Sequence, residues 1–412
     1  MDTFQVFFFF VISYLLSRVF VKLKIPELIV YYLFEKRHVS IQKLTYILIL
    51  GSALISTIIA NVITVLTLMP LVVLLQKEIK SFGEFTIKMN TLLLLCVIWG
   101  ANIGGIGMVT GTTTNGVLIG LYELYKVPIA KDFTFISWAA WGLPLVLLLS
   151  GLGWLILMLI FKPGKQTHKP DFGVALASSG LSRKMQRVGF FLAASFILTA
   201  SGLSLLLSIL DKHKYTILFA TIIWTLVYIY LLLIHKWKAE DNKRRKLLEF
   251  SDTLQDIPKK GLLWIGIAIL VTYILWQLKF HQVMAAWFTG WLNANHSLFL
   301  LYWIFALLTT FASEVVSNSA VQVTMFMVLF PMTRTIPDMS WQGMLIITLC
   351  SSCAFMTPLA TPSNGLAFGS SSKVSLKYMM MAGFIMNLVC ATLISAWVYF
   401  VVPITLNWFF IK

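Results

Sequence analysis

Long apolar runs dominate this chain, and they set what it can fold into. Stretches such as 136–161, 188–210, 215–235 and 379–403 match the roughly 20 residues a helix needs to cross a bilayer. In lipid every backbone N–H and C=O must be satisfied within the protein, so such stretches fold as helices. Hydrophobic residues make up 59% of the 412 residues and charged ones 12%, about half the soluble norm. That balance excludes a soluble enzyme, a disordered chain and a disulfide scaffold. There is material for about nine or ten crossing or dipping segments. The expected fold class is all-α and polytopic, one membrane domain over 1–412.

The net charge of +16 reads as basic cytoplasmic loops, not as a nucleic-acid surface. Cys96, Cys350, Cys353 and Cys390 all lie in apolar stretches and imply no disulfide framework. The N-terminus lacks a basic leader and a small-residue cleavage site, so a retained span is expected there.

Two pairs of apolar segments are too short to cross. The first pair, 44–59 and 62–75, meets at Ala60-Asn61; the second, 297–313 and 315–331, meets around Ser317-Asn318-Ser319. An apolar stretch broken by Asn and small polar residues predicts a re-entrant hairpin, its tip buried in protein or lining a wet cavity. Each hairpin precedes an interrupted span, ANIGGIGMVTGTTTN at 101–115 and SSCAFMTPLATPSN at 351–364. Setting Asn115 against Asn364 aligns Thr112 with Thr361 and Asn102 with Ser351. Paired broken helices in two repeated halves point to a transporter binding site. The halves are expected at 40–161 and 261–403, joined by central spans and linkers over 162–260. The charged segment 236–260 is expected to form a solvated or interfacial helix.

Charge gives orientation. The loops 162–187 and 236–260 are the most basic and share a side, taken as cytoplasmic. Counting spans from there places the first hairpin's flanks inside and the second's outside, with 25 basic residues facing in and seven facing out. One hairpin then enters from each face, as an inverted repeat requires.

The interrupted segments offer hydroxyls, amides and free backbone groups. Thr112, Thr113, Thr114, Asn115, Ser317, Asn318, Ser319, Thr361, Ser363 and Asn364 are the candidates. Half-helix N-termini favour anions, whereas unwound carbonyls and Asn oxygens favour Na⁺. Glu314 is the only acidic residue clearly inside an apolar run; it either holds the loop or contributes to a cation site. No Asp/Glu/His relay and no metal or nucleophile constellation appears, so neither an enzyme nor a proton pump is expected.

These motifs carry a resemblance. ANIGGIGMVTGTTTN, SNSA at 317–320 and SSCAFMTPLATPSN resemble motifs of the divalent anion/sodium symporter family, and Asn61, Thr64 and Pro70 match its first-hairpin pattern. The resemblance implies an elevator-type inverted-repeat transporter, usually a homodimer, in a bacterial inner or plasma membrane. It implies small-anion substrates, dicarboxylate or sulfate, with Na⁺ as coupling ion and no other cofactor. Carried onto this chain, substrate contacts fall to Asn61, Thr64, Thr113, Ser317, Asn318, Ser319 and Pro362. Sodium contacts fall to Asn61, Gly105, Asn115, Asn318, Ala360, Thr361 and Asn364. The arsenite and sodium/proton antiporter families share the architecture and give the alternative, as does a transport-impaired homologue. Ala60-Asn61-Val62 stands where the family has Ser-Asn-Thr, so two hydroxyl donors are missing. Fewer donors favour a smaller anion such as sulfate, or a monocarboxylate. Moving a dianion inward against −100 mV costs about 4.6 kcal/mol, which two Na⁺ would cancel.

Overall fold

A computed structural model describes residues 3–25, 39–79, 85–124, 127, 129, 132–163, 167–168, 183–210, 213–254, 274, 277–279, 283, 286, 297–333, 339–371 and 373–409. The apolar segments at 261–279 and 284–292, and most of the loop 162–187, lie largely outside the described residues.

The described chain is helical apart from two short strand pairs. Helix α1 covers Thr3–Lys22, and strand β1 is Val39–Ser40. Helices α2 (Ile41–Ser56) and α3 (Asn61–Ile79) follow, separated by a turn. Helix α4 (Phe85–Gly104) ends in an irregular loop with one 3₁₀ turn before α5 (Thr113–Leu124), and α6 spans Phe135–Phe161. After β2 (Thr167–His168), which pairs with β1, come α7 (Arg183–Ile209) and α8 (Lys214–Ile229), the latter ending in a π-helical turn at Tyr230–Ile234. Strands β3 (Lys236–Lys238) and β4 (Arg244–Lys246) form a hairpin, followed by the short α9 (Phe250–Leu254). Helices α10 (Leu298–Ala312), α11 (Asn318–Thr333), α12 (Met339–Ser351), α13 (Pro362–Ser370) and α14 (Leu376–Ala396) complete the core, and α14 runs through a π turn into α15 (Val402–Phe409).

Five helical stretches are long and apolar enough to cross a membrane: Ile87–Gly104, Phe135–Phe161, Arg183–Leu207, Lys214–Ile234 and Leu376–Trp408. The window within Ile87–Gly104 is 89% buried, against 28–44% for the other four. Helix α4 is therefore a central post, and α6, α7, α8 and α14 present apolar faces outward. Exposed Phe190, Phe191, Leu198, Phe219 and Leu226 form apolar surface of the kind that meets lipid or a partner chain.

Helix α4 reaches the centre because it lies almost on α2. A Cβ at Gly100 would sit 2.3 Å from the Ile49 carbonyl oxygen, and one at Gly104 would sit 2.1 Å from that of Ala53. Small residues one turn apart let two backbones touch, as membrane helix pairs require. Gly104→Val should destabilise the protein by about 3 kcal/mol through overpacking, read as a lower melting midpoint in detergent; an unchanged midpoint would show that this contact is loose.

The two predicted hairpins and interrupted spans appear as helix breaks at the expected places. Helices α2 to α6 have counterparts in α10 to α14, in the same order and with the same partners. Helix α2 packs on α4 and α6, as α10 packs on α12 and α14. The packing is also exchanged between the sets: α3 lies against α13, and α11 against α5.

The segment 236–260 departs from expectation, since a β-hairpin replaces the expected helix over 236–246. Its turn is set by Asn242 in the left-handed region (φ 57°) and by the Lys243 N–H donating to Asp241 Oδ1 at 3.1 Å. Leu247 and Leu248 are fully buried and tie the hairpin to the bundle, with the Leu248 N–H donating to Leu232 O. Beyond it, Asp252 pairs with Lys22 at 2.7 Å. Partial burial raises the Asp252 carboxyl's pKa, but the Lys22 hydrogen bond and the Glu249 N–H prevail and hold it below the usual range.

Candidate functional site

Both helix breaks have one plan. Ser56-Thr57-Ile58-Ile59-Ala60-Asn61 and Ser313-Glu314-Val315-Val316-Ser317-Asn318 span the same length, and each Asn is the first residue of its second helix. In the first break the Ser56 hydroxyl donates to Asn61 Oδ1 at 2.9 Å, and Asn61 Nδ2 reaches Asn102 Oδ1 at 3.4 Å. Gly105 is pressed against the same amide, where a Cβ would lie 2.7 Å from Asn61 Oδ1. In the second break the Ala320 N–H donates to Ser317 Oγ, and Asn318 Oδ1 is buried with no hydrogen-bond partner among the described residues.

The interrupted loops are held by a repeated clamp. Asn115 Nδ2 donates to the carbonyls of Gly105 (2.9 Å) and Met108 (2.8 Å), ten and seven residues earlier. Asn364 Nδ2 donates to the carbonyls of Ala354 and Thr357, both at 3.0 Å and at the same two offsets. The residues before the half-helices match too, Thr112 with φ −145°, ψ 153° and Thr361 with φ −140°, ψ 153°. The alignment of Asn115 with Asn364 thus has a geometric counterpart in every one of these features. A central amide joins the two sets. Asn102 Nδ2 donates to Ala354 O (2.7 Å) and Asn364 Oδ1 (3.1 Å), and Thr114 Oγ1 meets Ser352 Oγ at 3.0 Å.

Glu314 fixes the second loop to the second break. Its Oε1 accepts from the N–H groups of Phe355 (2.6 Å) and Met356 (2.9 Å) and from Asn387 Nδ2 (2.9 Å). Its Oε2 accepts from the Thr357 N–H at 2.9 Å, while the Thr357 hydroxyl donates back to the Glu314 carbonyl. Of the two roles expected for this residue, the geometry shows loop-holding. The first set has Thr57 at the matching position, and there the loop amides of Ile106 and Gly107 turn instead to the Ile103 and Gly104 carbonyls.

The predicted residues fall into three groups. Asn61, Gly105, Asn115, Thr361 and Asn364 belong to one hydrogen-bonded or touching network with Asn102 at its centre. Ser317, Asn318, Ser319, Ala360 and Pro362 lie at the second break and the start of α13, with Ala360 N–H donating to Thr357 Oγ1. Thr64 is buried and its hydroxyl reaches Ile59 O at 3.4 Å within its own hairpin, and Thr113 is exposed at the first residue of α5. Sequence reasoning missed Ser56 and the hub role of Asn102; Ser313, at the place of Ser56, donates instead to Thr309 O in its own helix. The five-residue spacing from Ser to Asn, shared by both breaks, would have exposed Ser56.

Like those of Gln76 and Gln322 elsewhere in the bundle, the buried side-chain oxygens of Asn115 and Asn318 accept no hydrogen bond among the described residues. Both belong to loops rich in carbonyls and hydroxyls, and hard oxygen donors of this kind suit an alkali cation. No group of three or more His, Cys, Asp or Glu that could hold a metal ion occurs among the described residues.

A multi-span helical bundle with two matched, Asn-headed helix breaks beside two unwound loops defines a membrane transporter. The family model described as citrate transporter (CitMHS) matches residues 3–345, and the chain belongs to that family, within the divalent anion/sodium symporters. It is similar to the sodium-dependent dicarboxylate transporter SdcS of Staphylococcus aureus strain NCTC 8325, at 24% identity over 374 residues, covering 87% of this chain and 68% of the relative. The SdcS proteins of strains N315 and USA300 match over the same shares. The protein is accordingly a multi-pass transporter of the bacterial plasma membrane and not an enzyme.

Proposed function

We propose that the chain is a sodium-coupled symporter of small anions, a dicarboxylate or sulfate. The carrying observation is the doubled constellation: two Asn-headed breaks and two Asn-clamped loops, with Asn102 bonded to the first break and to the second loop. One Na⁺ is assigned to Ser56, Asn61, Gly105 and Asn115, and a second to Asn318, Ala360, Thr361 and Asn364. The anion lies between the breaks, held by Asn61, Ser317, Asn318 and Ser319, with Thr64, Thr113 and Pro362 completing the pocket. The half-helix N-termini of α3, α5, α11 and α13 offer N–H groups to its charge. Na⁺ then neutralises the dianion and supplies the inward driving force. The relatives' printed name, a sodium-dependent dicarboxylate transporter, supports this reading.

The halves 40–161 and 261–403 are assigned as inverted repeats, one hairpin entering from each face, as the loop charges favour. The hydrogen bonds that tie breaks and loops together favour their moving as one body, an elevator motion, against a scaffold containing α1, α7 and α8. A homodimer is the assembly assigned.

Purified protein in proteoliposomes, offered labelled succinate or sulfate under a Na⁺ or a K⁺ gradient, tests the proposal. Saturable uptake requiring Na⁺ is expected. Sodium-independent efflux would replace symport with the antiport reading. Restoring the two hydroxyls with Ala60→Ser plus Val62→Thr should tighten apparent dicarboxylate affinity about tenfold, roughly one charge-assisted hydrogen bond. Unaltered kinetics would show that these positions do not touch the anion.

A further inference from the structure

A basic cavity lies away from this site, where α1 ends, α7 begins and the β3–β4 hairpin follows α8. It encloses about 470 Å³ and is lined by Lys22, Lys236, Arg244, Arg245 and Lys246 against one carboxylate, Glu249. Lys22 is already paired with Asp252 and Arg245 with Asp241. Lys236, Arg244 and Lys246 have no ion-pair partner among the described residues.

The hairpin register makes this arrangement costly. Lys236 stands directly opposite Lys246, and Lys238 opposite Arg244. Like charges facing each other across two strands destabilise the pair. The hairpin nonetheless closes, anchored by fully buried Leu247 and Leu248. An anion between the strands' cations would turn this repulsion into attraction.

We propose that this cavity binds the phosphate headgroup of an acidic membrane phospholipid. A lipid is favoured over a soluble anion because the cavity sits at the ends of apolar helices. Ile234 (57% exposed), the last residue of the span Lys214–Ile234, and Phe250 (73% exposed) flank the hairpin and provide apolar contact for acyl chains. Trp237 donates its indole N–H to Leu231 O, and His235 packs edge-on against its ring, as expected of aromatic residues at a membrane boundary. The headgroup would draw α1, α7 and α8 together without touching the transport site.

The test compares wild type with the exposed triple variant Lys236→Gln/Arg244→Gln/Lys246→Gln. A control of identical net charge, Arg183→Gln/Lys184→Gln/Arg187→Gln, changes three exposed cations that neither line the cavity nor belong to the hairpin. Retention of phosphatidylglycerol against phosphatidylcholine is read by native mass spectrometry, and melting midpoints are read in nanodiscs of each lipid. The cavity variant should retain phosphatidylglycerol on the order of 100-fold less tightly, the effect of three interfacial cations, and should lose its extra stability in that lipid. The control should keep both. Equal losses in the two variants would reduce the effect to general surface charge and overturn the proposal. A full phosphatidylglycerol preference in the cavity variant would also overturn it. So would millimolar inorganic phosphate raising the wild-type midpoint in phosphatidylcholine as far as phosphatidylglycerol does, because the ligand would then be a soluble anion.

Discussion

Glu314→Ala is expected to cost at least about 4 kcal/mol and to leave little folded protein in detergent. Three consecutive backbone N–H groups and the Asn387 amide all end on this one carboxylate. Each buried donor left without an acceptor costs roughly 1–3 kcal/mol, and no water in the bilayer core stands ready to replace it. Glu314→Gln separates charge from shape. One oxygen survives, but the new amide hydrogens would face a backbone N–H, donor against donor. A loss of about 2 kcal/mol is expected, with measurable but slower transport. Melting midpoints of the two variants, read beside uptake, check this. Alanine behaving like wild type would mean that the loop at 355–357 does not depend on the carboxylate.

Asn318→Ala is expected to abolish sodium-driven uptake, by at least about 100-fold, while leaving the sodium-free protein as stable as wild type or slightly more so. Its Oδ1 is buried and accepts no hydrogen bond among the described residues, a standing desolvation cost of about 1–3 kcal/mol. A bound cation would recover that cost. Removing the amide therefore removes the strain in the empty state and the benefit in the loaded one. A ligand that binds only the folded state stabilises it with the logarithm of its concentration, so Na⁺ should raise the wild-type midpoint and barely move the variant's. A variant that melts lower without sodium, yet keeps the full sodium shift, would make Asn318 a packing residue and remove it from the cation site.

Much of this was legible in the chain. Apolar run lengths fixed the helical membrane class, and the Asn-broken short runs marked both helix breaks to within a residue of Asn61 and Asn318. The match of Asn115 to Asn364 anticipated two clamps that recur at identical offsets. Less visible was Ser56, because a serine inside an apolar helix reads as a packing residue unless its spacing to the following Asn is compared between the two breaks. The hairpin at 236–246 was misread because its mixed charges fit a solvated helix, while the turn at Asp241-Asn242 and the burial of Leu247 and Leu248 override that pattern.

The sequence by itself determined that the chain lies in lipid, where it breaks, and which residue types head the broken helices. These follow from local chemistry, since an apolar helix in a bilayer has no other partner for its backbone and an Asn amide can stop it. Only the tertiary structure decided that Asn102 joins the two halves and that Glu314 serves as an acceptor for loop amides. Those roles depend on which groups meet across 262 and 41 residues of chain, and no local preference encodes such a meeting.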